Sequence, residues 1–421
     1  MQYEEKPLRR IATVIMGTSP DGSTYNRNGD GRPLLNGPTE FGTHHPTPVL
    51  YTTASTRECE PGDLIFCVRG STTGRMNWAD RVYSLGRGVC AIRGASASDT
   101  HFIRYCIDLK LPALLKLAGG GTFPNLTRDT ILDFPLPFPS QRGKITAVLT
   151  AYDDLVENNT RRIQVLEEMA QALYREWFVH FRFPGHEQTE MVDSALRPIP
   201  EGWEATTIGD VVGIMGGGTP STADPDLWTG GSVTWYSPSD LTAANSMFIT
   251  RSEKMITPLG LQKSSARLFP PYCVMMTSRA TIGVVSINTS EACTNQGFIT
   301  CIPSARVSAL QLYFWVKENK EKIISMASGA TFKEINKATF RNLSIVVADP
   351  DTTTRFEGLV GSLGKQIENL LRKNTNLRLT RDLLLPKLIS GEVSVDDLDI
   401  ETGEADSTEA EAEGASRALS A

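Results

Sequence analysis

No apolar run in the 421-residue chain approaches the ~18–20 residues that a bilayer-spanning helix requires. The opening stretch, Met1-Gln-Tyr-Glu-Glu-Lys-Pro7, has no apolar signal core. Seven cysteines, at 59, 67, 90, 106, 273, 293 and 301, form no Cys-x-x-Cys pair, so neither a zinc site nor a disulfide framework is indicated. His44, His45, His101, His180 and His186 show no metal-ligand spacing with one another or with a cysteine or carboxylate. These absences point to a reduced, cytoplasmic protein with no metal and no membrane partner.

Catalytic motifs are missing as well. There is no Gly-x4-Gly-Lys-Ser/Thr phosphate loop and no Gly-x-Ser-x-Gly elbow. The glycine clusters at 119–121 and 216–218 lack the Gly-x-Gly-x-x-Gly spacing of a dinucleotide site. Phe269-Pro-Pro-Tyr272 has the outline of an amino-methyltransferase motif, but its first position lacks the amide or carboxylate that would hold the target amino group. Asp153-Asp154, adjacent on a helix, point in different directions and read as a solvated face. No catalytic residue is assigned, and binding is the expected activity.

Hydrophobic content is 40% and charged content 21%, as in a globular protein, and the length suits about two to four domains. The net charge of −6 combines two unlike parts. Residues 391–421 carry ten acids and one base, lack aromatics, and read as a disordered tail. The remaining body has 41 bases against 38 acids, a net of +3, which keeps DNA among its partners.

An internal repeat is the strongest positive signal. Gly119-Gly-Gly-Thr-Phe-Pro-Asn-Leu126 matches Ser328-Gly-Ala-Thr-Phe-Lys-Glu-Ile335 at an offset of 209, and Arg87-Gly-Val-Cys-Ala-Ile92 matches Gln296-Gly-Phe-Ile-Thr-Cys301 at the same offset. Arg69–Gly74 resembles Arg279–Gly283, and Gly17-Thr18 resembles Gly218-Thr219.

Each half ends in a helical pattern with apolar steps alternating between four and three. Leu149, Tyr152, Val156, Asn159, Ile163 and Leu166 form the first seam. Val360, Leu363, Ile367, Leu370, Asn374 and Leu377 form the second. The shared register predicts that the helices pack on each other; the alternative is two independent surface helices. One Asn in each seam would set register. Ser140 is the expected cap of the first helix, which runs Arg142–Val179 and spans on the order of 55 Å at ~1.5 Å per residue. Pro386 is expected to end or kink the second.

The fold class is therefore α/β: two compact α/β blocks, 1–140 and 201–350, and two long antiparallel coiled-coil helices, 141–183 and 351–390, in a pseudo-twofold repeat. A polar linker, 184–200, joins the halves, and the acidic tail is 391–421.

Pro200-Glu-Gly-Trp203, Ile208-Gly-Asp210 and Gly217-Gly-Thr-Pro220 are followed by Trp235-Tyr-Ser-Pro-Ser-Asp-Leu241, Ser328–Ile335 and Leu384-Leu-Pro-Lys-Leu-Ile-Ser-Gly391. In this combination the chain resembles the DNA-specificity subunit of a Type I restriction–modification system. The resemblance covers about residues 8–400. The first half departs from the pattern: Gly17-Thr-Ser-Pro20 inserts a serine, Gly119-Gly-Gly-Thr122 replaces Ser-Gly, and Tyr174-Arg-Glu-Trp-Phe178 stands where the second helix has Leu385-Pro-Lys-Leu-Ile389.

The resemblance implies a non-catalytic subunit for defence against foreign DNA. Its two target-recognition domains would read the halves of an asymmetric, bipartite site on double-stranded DNA. The paired helices would act as a ruler covering about one and a half duplex turns at ~34 Å per turn. Two methyltransferase subunits and two restriction subunits would dock on it. S-adenosylmethionine, ATP and magnesium would belong to those partners, with no cofactor in this chain.

Reading DNA requires hydrogen-bonding side chains on loops. The candidates are Tyr25, Asn26, Arg27, Arg32, Arg69, Ser71, Thr72 and Arg75 in the first block. In the second they are Lys263, Ser264, Arg267, Ser278, Arg279, Thr281 and Lys333. Thr122-Phe123 and Thr331-Phe332 recur in both copies and are assigned structural roles. Two other function classes are a protein-interaction scaffold without a DNA role and a self-sufficient DNA methyltransferase with diverged motifs.

Overall fold

The computed structural model describes residues 4–42, 44–119, 124–329 and 333–400. The Thr122-Phe123 and Thr331-Phe332 pairs lie outside them, as do the last 21 residues of the acidic tail. The chain divides into two compact units, one built from residues up to Leu155 together with those from Asn376 onward, the other from Val156–Thr375.

In the first unit, β1 (Glu5–Pro7) pairs antiparallel with β10 (Pro135–Pro137). A four-stranded antiparallel sheet follows the order β2 (Ala12–Met16), β9 (Val89–Gly94), β6 (Leu64–Cys67), β7 (Met76–Trp78). Leu64-Ile-Phe-Cys67 is fully buried, as an unbroken apolar run in a central strand with both faces covered should be. A second sheet has the order β3 (Tyr25–Asn26), β5 (Tyr51–Thr52), β4 (Arg32–Leu35), β8 (Ser84–Leu85), in which β4 and β8 are parallel. Helix α1 (Ala97–Lys116) starts at Ser96, whose side chain accepts from the Asp99 amide, and α2 (Arg128–Leu132) starts at Thr127 in the same way.

The second unit repeats these pairings. β13 (Glu204–Thr207) with β22 (Ser344–Val347) corresponds to β1 with β10. The order β14 (Gly213–Gly216), β21 (Phe298–Ile302), β18 (Val274–Thr277), β19 (Val285–Asn288) corresponds to β2, β9, β6, β7, with β16 (Phe248–Ile249) added at the edge. The parallel pair β15 (Val233–Tyr236) and β20 (Cys293–Thr294) corresponds to β4 and β8. The short motifs fall at equivalent places: Asn125 bridges to Arg69 and Gly119, and Glu334 bridges to Arg279 and Ser328. Helix α7 (Ala309–Glu318) opens on a capping box of Ser308 and Gln311.

The first long helix runs Arg142–Tyr174 and ends in a wider turn, Arg175–Val179. The second runs Pro350–Ser390. Within each unit their segments contact in opposite sequence order. In the first unit Asp153 meets Arg381, and Ile145 and Leu149 share a core with Leu385, Leu388 and Ile389. In the second, Asn159 meets Asn374 and Tyr174 meets Phe356.

Five expectations need correction. Pro386 does not end the second helix, which continues to Ser390; the carbonyl deprived of its donor is that of Asp382, an exposed residue. The first helix stops at Val179, as the Arg142–Val179 span has it and short of the 183 boundary, and Phe181 and Phe183 beyond it pack on Trp203. The stretch 184–200 is more than a polar linker: Met191–Val192 pairs with Ile199–Pro200. Ser140 does not cap the first helix; its hydroxyl donates to the Gln141 side chain.

The boundary of the tail also moves. Val395 is buried in the core of the first unit, Gln141 Nε2 donates to Asp396 Oδ1 at 2.8 Å, and Lys144 Nζ donates to the carbonyls of Asp396 and Leu398. Residues 391–400 therefore belong to the folded body, held by an apolar anchor that acid counting does not register.

Candidate nucleic-acid interface

In the first unit the candidate residues form two groups. Arg69, Ser71, Thr72 and Arg75 occupy the turn between β6 and β7, with Arg69, Ser71 and Arg75 exposed. Gly70 and Gly74 take positive φ there, which lets the loop turn tightly behind a buried strand. Arg69 Nε donates to Asn125 Oδ1 at 3.3 Å, and Thr72 is half-buried beside the Cys67 thiol. The second group lies on the small sheet. Tyr25 donates to the Pro20 carbonyl, and Arg32 pairs with Glu58 at 3.2 Å. Asn26 braces its own loop, donating to the Asp30 carbonyl and accepting from the amides of Asn28 and Asp30. No hydrogen bond or ion pair joins the two groups among the described residues. Arg27 and Arg75 are exposed and make no ion pair among the described residues, which leaves their guanidinium groups available to phosphate.

In the second unit the loops converge. Ser264 accepts from the Ala266 amide, and a Cβ on Gly218 would collide with Ser265 and Ala266, so that loop lies against the Gly217–Thr219 turn. Gly218 N donates to the Thr294 carbonyl, and Ser278 N donates to the Gly297 carbonyl. Arg279 Nε pairs with Glu334 at 2.7 Å, next to exposed Lys333. Lys263, Arg267 and Thr281 are exposed, whereas Ser278 is only 2% exposed and lies behind the loop surface.

Two residues outside the candidate set occupy equivalent turns. Arg87 and Gln296 precede β9 and β21 at the 209 offset, and both are exposed. The Arg87 amide donates to Ser19 Oγ at 3.2 Å, and Gln296 Oε1 accepts from Thr219 Oγ1 at 2.5 Å. Each thus ties the turn to the Gly-Thr loop of its own unit. The repeat itself was the signal that could have found them, since one position carries different side chains in two copies.

The seam residues occupy the helix faces turned inward. Leu149, Val156, Ile163, Val360, Ile367, Leu370 and Asn374 are buried; Tyr152, Asn159, Leu166, Leu363 and Leu377 are half-buried. Asp153, read from sequence as a solvated face, is corrected. Its carboxylate accepts from Tyr105 Oη at 2.5 Å, from Arg104 at 3.5 Å and from Arg381, while Asp154 is exposed. Desolvation together with this carboxylate pushes the Tyr105 phenol above its ordinary range. All seven cysteines are free and buried, and desolvation drives Cys59, Cys293 and Cys301 up to about 12, so they are protonated and inert at neutral pH. Among the described residues no group of three or more His, Cys, Asp or Glu is placed to hold a metal ion, and no helix is long and apolar enough to cross a membrane.

A family model described as the Type I restriction modification DNA specificity domain matches residues 2–168 and 200–351. The Type I restriction enzyme MjaIX specificity subunit of Methanocaldococcus jannaschii is 32% identical over 200 residues, 47% of this chain and 45% of that one. The HindI specificity subunit of Haemophilus influenzae is 27% identical over 333 residues, 65% of this chain and 72% of that one. This chain thus spans about half the archaeal relative and nearly three quarters of the bacterial one. The crystal structure of a Type I restriction–modification S subunit from M. genitalium superposes with a TM-score of 0.55 at 14% identity, covering 94% of this chain and 97% of that one, which shows a shared fold.

Proposed function

The chain belongs to the Type I restriction–modification DNA specificity family, and from that premise we propose that it selects the DNA sequence on which a Type I complex acts. Its two units each present one set of reading loops. The observation that carries this reading is the pair of equivalent turns before β9 and β21, one bearing Arg87 and the other Gln296. The same scaffold with different hydrogen-bonding side chains suits two different half-sites, as a bipartite, asymmetric target requires. Arg suits the O6/N7 edge of guanine and Gln the N6/N7 edge of adenine.

In this reading the long helices form an antiparallel coiled coil that holds the two units in a pseudo-twofold arrangement and sets the spacing between half-sites. The chain makes and breaks no bonds itself. Two methyltransferase and two restriction subunits dock on it in the cytoplasm and bring S-adenosylmethionine, ATP and magnesium. Arg27, Arg75, Lys263, Arg267 and Lys333 contact phosphates, so affinity falls as salt rises.

The test is a gel-shift competition with the chain assembled with its methyltransferase partners. One duplex sequence should compete far better than scrambled duplexes, and equal competition by all duplexes overturns the reading.

A further inference from the structure

The first unit contains a cavity of about 370 Å³ whose walls include Lys6, Arg9, Arg10, Arg93 and Arg142, with Asp99 the single acid. Three of the five bases are held in place by carboxylates. Arg142 pairs with buried Asp99 at 2.6 Å, Arg93 with Asp63 at 2.6 Å and Glu60 at 2.8 Å, and Arg9 with Asp133. Phe138 supports the Lys6 ammonium at 5.3 Å and the Arg142 guanidinium at 4.3 Å. Lys6 and Arg10 make no ion pair among the described residues, so the cavity retains uncompensated positive charge.

This site lies apart from the reading loops. It opens where Ala12 pairs with Gly94, while the Gly17 and Arg87 turns follow the opposite end of the same pair, where Met16 meets Cys90. Four residues of strand separate the ends by about 13 Å. Nor does the repeat reproduce it. At the offset that matches Gly17 with Gly218, Arg9 and Arg10 become Asp210 and Val211, and the strand matching β9 ends in Cys301-Ile302. A basic cavity confined to one copy does not belong to the duplicated reading function.

The chain also contains a matching polyanion, and its attachment point lies beside the cavity. Gln141 and Lys144, the residues flanking Arg142, hold Asp396 and Leu398. The described chain stops at Ile400, and residues 401–421 carry Glu401, Glu404, Asp406, Glu409, Glu411 and Glu413 against the lone Arg417. From this charge complementarity and this tether we propose that the cavity is the docking site of the chain's own acidic C-terminal segment, 401–421. Tethering makes the contact intramolecular, so carboxylates that would bind weakly from free solution reach a high effective concentration at the cavity. The docked segment excludes other polyanions, including DNA held non-specifically, from this basic hollow.

The seven native thiols are buried, so introduced surface cysteines react selectively. In the full-length chain, Ala95→Cys at the cavity wall is combined with Ala410→Cys, and disulfide formation under mild oxidation is mapped by peptide mass. Exposed Ala54→Cys with Ala410→Cys serves as the control. The 95–410 crosslink should form several-fold faster than the 54–410 crosslink. It should slow in 1 M salt, where the screening length shrinks to ~3 Å, and it should be lost when Lys6→Glu and Arg10→Glu are added. Equal rates at the two sites, indifference to salt or charge reversal, or a crosslink formed only between two chains would each overturn the proposal.

Discussion

Asn159 Nδ2 donates a 2.9 Å hydrogen bond to Asn374 Oδ1, joining the two long helices within the second unit. Asn374 is 3% exposed and also donates to the Val156 carbonyl and to Thr160 Oγ1, each at 3.3 Å. A polar pair in an apolar seam is satisfied only when the two amides face each other, so it selects one register over slipped alternatives. Asn374→Leu strands the Asn159 amide and should cost about 1–3 kcal/mol. Asn159→Leu with Asn374→Leu should recover much of that loss, because no donor is then left without a partner. Urea midpoints of the two variants measure both effects, and a double variant weaker than the single one would refute the argument.

Asp153 gathers Tyr105, Arg104 and Arg381 from three separate parts of the sequence. Asp153→Ala leaves two arginines facing each other and a buried phenol without an acceptor. A loss of about 2 kcal/mol is expected, below the ~3–5 kcal/mol of a fully buried pair because the site is partly exposed. Asp153→Asn keeps an acceptor for Tyr105 and should cost less. Thermal unfolding of the two variants gives the comparison.

Exchange of the side chains before β9 and β21 should exchange base preference. With Arg87→Gln the half-site read by the first unit should shift from guanine toward adenine at one position, and Gln296→Arg should do the reverse in the other half-site. Each change is worth ~1–3 kcal/mol of discrimination. Binding selection from randomised duplexes with the assembled complex measures it; an unchanged preference in both variants removes these residues from base reading.

Glu167 accepts from the Met247 amide at 2.8 Å, and desolvation raises its pKa from the ordinary value of 4.5. The folded state then binds a proton more tightly than the unfolded state. Above pH 4.5 the carboxylate lowers stability, and that penalty fades as pH falls through the raised pKa. Glu167→Gln keeps the acceptor without the charge. It should therefore be more stable than the parent at neutral pH, by up to about 1 kcal/mol, and the two unfolding curves should converge on acidification.

Truncation separates the folded body from the acidic segment. Removing 392–421 deletes buried Val395 and the groups held by Gln141 and Lys144. It should destabilise the chain by about 2 kcal/mol, the scale of one buried apolar side chain. Removing only 401–421 should lower the melting temperature far less, by no more than the docking of that segment on the folded chain contributes. The pair of melting curves checks where the body ends.

The mixed helix and strand content and the two long helical patterns were legible in one dimension. A repeat appears as a constant offset, and an amphipathic helix appears as a period in its own residues. The Arg69–Asn125 bridge recurs as Arg279–Glu334, at offsets of 210 and 209. Tertiary structure decided everything that depends on which distant residues meet. Asp153 lies 228 residues from Arg381, and no local pattern marks their encounter. The second helix runs on through Pro386 to Ser390, Val395 fixes the end of the body by reaching a core, and five bases scattered from Lys6 to Arg142 become one cavity. Local chemistry sets which elements can form; the energy of burial and of opposite charges brought together sets where they meet.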